Sequence, residues 1–333
     1  MKIERPYLLY LGDAGAEFGA KTAAGVLFWR PEHCLAQSRL PGCAIDLGLP
    51  DMTFEDAVAQ GARTLLIGVT NMGGFLPEHW VPDLVRALEA GLDIASGLHQ
   101  RLSSFPAIAE AAERHGRRLH DVRHPGTDLP MATGEPRSGQ RVLMVGTDCA
   151  VGKKFSALAI HREMVARRID ADFRATGQTG ALIAGSGFAL DAVPGDFISG
   201  CAEALSPAAH PDHWDVIEGQ ATVLHPSFAA VTVGLVHGSQ PDVLVLCHDA
   251  ERKTIRGLGN RPVPSLSESI EAHLQVARLT NPAVRAAAVS INTQSLNEAE
   301  ALAAIQSATE ETGLPATDPI RFGAGLIVDA IIS

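Results

Sequence analysis

The chain has 333 residues, 46 % of them apolar, only 5 % aromatic, and a formal net charge of −11. That length suits two ordinary domains or one large α/β domain with a sizeable core. The acidic balance, with no Lys/Arg run longer than a pair, lacks the basic footprint of a nucleic-acid binder, and scarce aromatics argue against an aromatic platform for RNA.

The five cysteines, Cys34, Cys43, Cys149, Cys201 and Cys247, are scattered and form no C-x-x-C pair, so neither a disulfide framework nor a zinc site is expected. The opening MKIERPYLLY has no long apolar core before a small-residue cleavage site. No stretch approaches the ~18 consecutive apolar residues of a membrane span. The expectation is a cytoplasmic protein without a membrane or nucleic-acid partner.

In chain order, YLLYLGDAG (7–15) opens as a buried strand, and TLLIGVTNMGG (64–74) is a second that runs into a glycine pair. PEHWVPDLVRALEAG (77–91) has helical apolar spacing and a terminal glycine stop. LDIASGLH (92–99) reads as strand, FPAIAEAAERHG (105–116) as helix and RRLHDVRHP (117–125) as strand. Residues 131–140, MATGEPRSGQ, are polar and rich in Gly, Pro and Ser, which marks a domain junction. A new series begins with RVLMV and continues through ADFRAT, WDVIEG, DVLVLCH and AAAVSIN as strands, with SESIEAHLQVARL and NEAEALAAIQSATEETG as helices. The alternation predicts an α/β fold of two doubly wound, mostly parallel-sheet domains, residues 1–133 and 134–333, the second a P-loop fold.

The P-loop assignment rests on RVLMVGTDCAVGKKFSALAIHREMVARR: buried strand, glycine-bounded loop, amphipathic helix. Gly146 and Gly152 let the backbone turn its N–H groups inward, the helix N-terminus adds positive potential, and Lys153 adds a mobile charge. Thr147, Asp148, Ala150, Val151 and Lys154 complete the predicted phosphate cradle. The pattern G-T-D-x-x-V-G-K is similar to the loop of the dethiobiotin synthetase group, where a threonine follows the lysine and ligates magnesium. Here Lys154 follows, and an ammonium cannot ligate a cation. The loop is therefore expected to hold phosphates without transferring one, and no obligatory metal is expected.

With the rest of the chain the sequence resembles the D-glutamate N-acetyltransferase family, a bacterial family formerly of unknown function. Its members pair an N-terminal Rossmann-like part with a C-terminal P-loop part. The stretches that carry the resemblance include GVTNMGGFLPEHW (68–80), GLDIASGLHQRL (91–102), GTDCAVGKK (146–154), DAVPGDFISGCAE (191–203), VIEGQATVLHP (216–226), SINTQSL (290–296) and GLPATDPIRFG (313–323). The resemblance implies acetyl-CoA as donor and a D-amino acid, D-glutamate or a relative, as acceptor. Coenzyme A carries three phosphates that acyl transfer leaves intact, which fits a loop without a metal ligand.

Acetyl transfer to an amine needs a base, oxyanion donors and alignment. Base candidates are Asp148 in the loop, base or cap on its N–H groups; Glu218 at the end of strand WDVIEG, base or ordering residue; and His225 and His237, each base or a hydrogen-bonded structural histidine. An acidic substrate calls for Asn71, Gly73 and Gly74 as backbone and amide donors, with His99, and for Arg123 as a bidentate clamp or a surface ion pair. Gln178 and Asp196 are expected in the same cleft, and Asn292 and Thr293 at the adenine or as helix caps. Competing readings are a magnesium-dependent ligase or kinase, a non-catalytic nucleotide sensor and, weakly, an NAD enzyme, since GDAGAEFG lacks G-x-G-x-x-G. An enzyme of this size and class is expected to self-associate.

Overall fold

The computed structural model describes residues 2–15, 19–69, 74–124, 126 and 128–333. The chain divides into two compact units, Met1–Gly126 with Gly177–Ala192, and Thr127–Thr176 with Val193–Ser333. Asn71 and Gly73 lie outside the described residues.

The first unit holds five parallel strands: β1 (Tyr7–Gly12), β2 (Cys34–Arg39), β3 (Thr64–Ile67), β4 (Asp93–Ser96) and β5 (Leu119–Asp121), in the order β2-β1-β3-β4-β5. All residues of β1, β3 and β4 are buried, as expected for strands covered on both faces, and their buried apolar runs made them legible. The helices Val81–Ala90 and Pro106–His115 each carry proline in the first turn and end on a left-handed glycine, Gly91 or Gly116. The strands are shorter than expected over 92–99 and 117–125, Asp93–Ser96 and Leu119–Asp121, so His99 and Arg123 stand beyond the strand ends. β2 was not anticipated because CLAQSR has no apolar run. Its buried Gln37 is satisfied by Asp46 Oδ1 and the Leu47 N–H, each 2.9 Å away.

The second unit holds six parallel strands: β6 (Gln140–Gly146), β7 (Ala171–Arg174), β8 (Trp214–Ile217), β9 (Val243–Asp249), β10 (Arg285–Asn292) and β11 (Ala316–Thr317), ordered β11-β10-β9-β6-β8-β7. β6 pairs with β8 on one side and β9 on the other, so the connections reverse at its C-terminal end, where ligands of open α/β sheets bind. The helices Leu266–Ala277 and Glu298–Thr312 both open with complete capping boxes, Ser265 with Glu268 and Asn297 with Glu300. Residues 131–140 are tied to this unit: Glu203 accepts from the Thr133 and Gly134 N–H groups, and Arg137 donates to four carbonyls, those of Glu203, Ser206, Gly238 and Ser239. Among the described residues no helix is long and apolar enough to cross a membrane.

Candidate functional site

The loop leaves β6 at Gly146 and enters the helix Lys153–Ala166, with Gly152 at φ +103° and Ala150 at φ +55°. An alanine held in the left-handed region costs about 1–2 kcal/mol, a strain that binding loops commonly carry. Lys153 is 6 % exposed and its Nζ donates to the Asp148 carbonyl at 2.7 Å, so the side chain curls over the loop it serves. Burial pulls its pKa down, only partly offset by neighbouring thiols and the carboxylates of Asp148 and Glu218. Lys154 is half-buried. Burial lowers its pKa too, opposed by the charge of Glu218. Two desolvated ammonium groups at the N-terminal turn of the helix Lys153–Ala166 suit a site for an anion.

Glu218 follows β8 and is 5 % exposed; its Oε2 accepts from the Thr176 N–H at 3.0 Å, while Thr176 Oγ1 donates to the Glu218 carbonyl at 2.7 Å. The next residue must be glycine, because a Cβ on Gly219 would lie 1.6 Å from the Met144 carbonyl oxygen. This close approach of β8's end to β6 is what brings Glu218 beside the loop lysines.

Asp148 is fully buried and its carboxylate is committed. Oδ1 accepts from the Cys149 N–H at 2.7 Å, and Oδ2 accepts from Arg252 Nη1 and from the Arg256 N–H, both at 2.8 Å. His225 is equally committed: Nδ1 accepts from the Ser227 N–H at 3.1 Å, and Nε2 faces the Arg256 carbonyl at 3.3 Å, which makes Nε2 the protonated nitrogen. Asp148, Cys149 and His225 bring one metal-ligand-type atom each within 4.8 Å of one another, yet these hydrogen bonds already occupy the carboxylate and the imidazole. Thr147 donates or accepts at 2.9 Å with His248 Nδ1, on an imidazole whose pKa is lowered by burial.

Asn292 and Thr293 end β10 and part ways. Thr293 is buried, its N–H and Oγ1 both donating to Asp318 Oδ2, so it organises the loop after β11. Asn292 instead lines an open groove of ≈ 510 Å³ with Asp249, Glu251, Arg252, Gln294 and Ser295. A Cβ on Gly152 would lie 3.7 Å from that of Asn292, which places the groove against the phosphate loop. Asp196 is exposed in the short turn Gly195–Phe197 of this unit, and His237 lies in the last turn of the helix Ala229–Ser239, its buried Nε2 without a partner among the described residues.

The first unit gathers other predicted residues at the C-terminal edge of β4 and β5. A Cβ on Gly74 would lie 2.5 Å from His99 Cδ2, His124 Nε2 sits 2.6 Å from the His99 carbonyl, and Gln178 packs on Gly97. Arg123 pairs through Nη1 with Asp191 Oδ2 at 2.5 Å, while its buried Nε finds no partner among the described residues. Burial and then the Arg123 charge lower the His99 pKa, leaving a neutral imidazole at neutral pH. Sequence reasoning did not single out Thr176, Arg252, Arg256 or Asp318. Thr176, Arg252 and Asp318 stand just past strands, a position that was the available signal; Arg256 lies further on, in the segment after β9, with no such signal.

A family model described as a domain of unknown function (DUF1611), P-loop domain, matches residues 130–328, and its Rossmann-like N-terminal companion matches residues 38–125. The D-glutamate N-acetyltransferases of Tritonibacter scottomollicae and Pseudoalteromonas sp are 51% and 43% identical to this chain over 99% and 98% of its length, and over 99% of each relative. The crystal structure of a DUF1611 family protein from Anabaena variabilis matches with a TM-score of 0.83 at 32% identity, covering 99% of both chains.

Proposed function

The chain belongs to the DUF1611 family, and from that premise we propose that it transfers the acetyl group of acetyl-CoA to the amine of D-glutamate or a close D-amino acid, with the loop Gly146–Lys154 holding the CoA phosphates. It is an N-acetyltransferase, and so an acyltransferase. The observation that carries the finer reading is the pair Lys153–Lys154, both desolvated and facing Glu218, where a metal-using loop carries one lysine and a hydroxyl. Such a site neutralises phosphates that stay intact.

Bound acetyl-CoA supplies an activated thioester carbonyl. The neutral acceptor amine attacks that carbonyl; the C–N bond forms, the C–S bond breaks, and the proton the nitrogen sheds passes to the departing thiolate, which leaves as CoA thiol. The protein's part at the phosphate end is charge and N–H donors. Asp148 and His225, with their polar atoms engaged, build the loop rather than move a proton. Glu218 sits with the lysines at the phosphate end, a pantetheine arm away from the thioester, and so orders Lys154 rather than acting as base. On the N-terminal unit Arg123 is the carboxylate clamp for the acceptor, oriented by Asp191, with neutral His99 as hydrogen-bonding neighbour. Homo-oligomeric assembly in the cytoplasm accompanies this reading.

The deciding experiment incubates the purified protein with acetyl-CoA, a thiol reagent and a panel of D- and L-amino acids, with and without EDTA. Thiol release that requires D-glutamate or a close D-amino acid and ignores EDTA is expected. Magnesium-dependent ATP consumption instead would assign the ligase or kinase alternative. For Glu218→Gln, KM for acetyl-CoA is expected to rise on the order of tenfold with kcat nearly unchanged. Disappearance of a basic or acidic limb from its kcat pH profile would make Glu218 the proton carrier after all.

A further inference from the structure

The segment between β9 and the helix Leu266–Ala277 is a built element. Thr254 and Pro262 form an antiparallel bridge, the Ile255 N–H donates to the Arg261 carbonyl at 2.9 Å, and the Val263 N–H donates to the Lys253 carbonyl at 3.1 Å. Ile255 is 1 % exposed and anchors the hairpin, while Gly257 and Gly259, both at positive φ, turn its tip.

Its charge is exceptional for this chain. The stretch 252–261, RKTIRGLGNR, holds Arg252, Lys253, Arg256 and Arg261 and no acid, in a protein of net charge −11. It is also locked to the phosphate loop. Arg252 pairs with Asp148, and the Arg256 backbone is pinned at both ends, its N–H to Asp148 and its carbonyl to His225. Arg256 is near enough for its charge to act on the Cys149 thiol within the loop. With its backbone fixed, the Arg256 side chain is exposed, and Arg261, brought alongside by the Ile255–Arg261 hydrogen bond, is exposed too. Cationic side chains held on a rigid base beside an anion cradle, with their heads in solvent, form a second anion site adjoining the first.

Resting on the reading of the loop as a CoA site, we infer that this hairpin reads the ribose 3′-phosphate of coenzyme A through Arg256 and Arg261, and so selects CoA thioesters over those that lack that phosphate. The loop N–H groups and the two lysines suit a diphosphate. The remaining phosphate is borne on the ribose and needs charges of its own, which the pinned hairpin supplies. Asp148 and His225 thereby act as positioning residues for Arg256.

The test is calorimetric binding of CoA and of dephospho-CoA, which lacks the 3′-phosphate, to the full chain. The wild type is expected to bind CoA on the order of 10–100-fold more tightly, a preference that shrinks as salt rises. The double variant Arg256→Ala/Arg261→Ala is expected to bind both alike while keeping the wild-type affinity for dephospho-CoA, which also reports an intact fold. Arg256→Lys/Arg261→Lys is expected to keep part of the preference. Equal binding of both ligands by the wild type, or an undiminished ratio in the alanine variant, overturns the hairpin's role and leaves the CoA reading standing. Binding of neither ligand by the wild type removes the CoA reading itself, and this inference with it.

Discussion

Lys153→Ala is expected to lower kcat/KM for acetyl-CoA on the order of 100-fold, about 2.7 kcal/mol, through KM, while the protein melts no lower than wild type. The magnitude is that of removing a charge-assisted hydrogen bond from a desolvated site. The unchanged or raised melting temperature follows from the cost of the residue in the free protein. The residue is 6 % exposed, its pKa is lowered by burial, and its Nζ donates to the Asp148 carbonyl rather than to a carboxylate oxygen. Bound phosphates would restore that pKa toward the ordinary lysine value. Ligand binding then takes up protons over the interval between the depressed free value and the restored bound one. Affinity is highest below the free-protein pKa and declines as pH rises through that interval. The alanine variant should lose this slope. A variant whose CoA affinity stays within about threefold of wild type, with the slope retained, would move the phosphates elsewhere.

Gly219→Ala is expected to destabilise the C-terminal unit by about 3 kcal/mol or more, a fall in melting temperature of roughly 6–12 °C for a domain of this size. The added methyl would stand 1.6 Å from the Met144 carbonyl oxygen and 2.9 Å from Lys153 Cδ. The first of these is backbone in the central strand β6, so no rotamer change relieves it. Any protein that does fold must part β8 from β6, which carries Glu218 away from the loop lysines. Thermal unfolding followed by circular dichroism gives the stability term, and CoA calorimetry at low temperature gives the site term. Melting within about 2 °C of wild type would mean that the strand ends do not approach in this way.

The two loop lysines show where sequence and structure divide. GTDCAVGKK between an apolar run and a helix was enough to place a phosphate loop at the end of β6, because strand, turn and helix N-terminus are local and each has its own residue signature. That Lys154 faces Glu218 is a long-range fact, decided by a glycine whose missing side chain lets β8 close on β6. Asp148 shows the same division. Its place in the loop suggested either a base or a cap; the Cys149 N–H next to it engages Oδ1, and only the fold of residues 252–256 over it, which no periodicity announces, engages Oδ2.

By itself the sequence determined the α/β class, the five helices named from its spacing and caps, and most of the strands of both sheets, since a buried parallel strand is a short apolar run and an exposed helix carries its spacing and caps in adjacent residues. It left unread β2, whose buried glutamine is satisfied from the loop that follows the strand. It also left unread the helices Ile198–Leu205 and Ala229–Ser239, whose glycines weaken helix propensity. Tertiary structure supplies their reason: a Cβ on Gly238 would lie 2.0 Å from the Ser199 carbonyl oxygen, so the two helices pack backbone to backbone where any larger residue would hold them apart. Tertiary structure also assigned residues 177–192 to the N-terminal unit, across the sequence order, because packing energy follows contact in space and is indifferent to position along the chain.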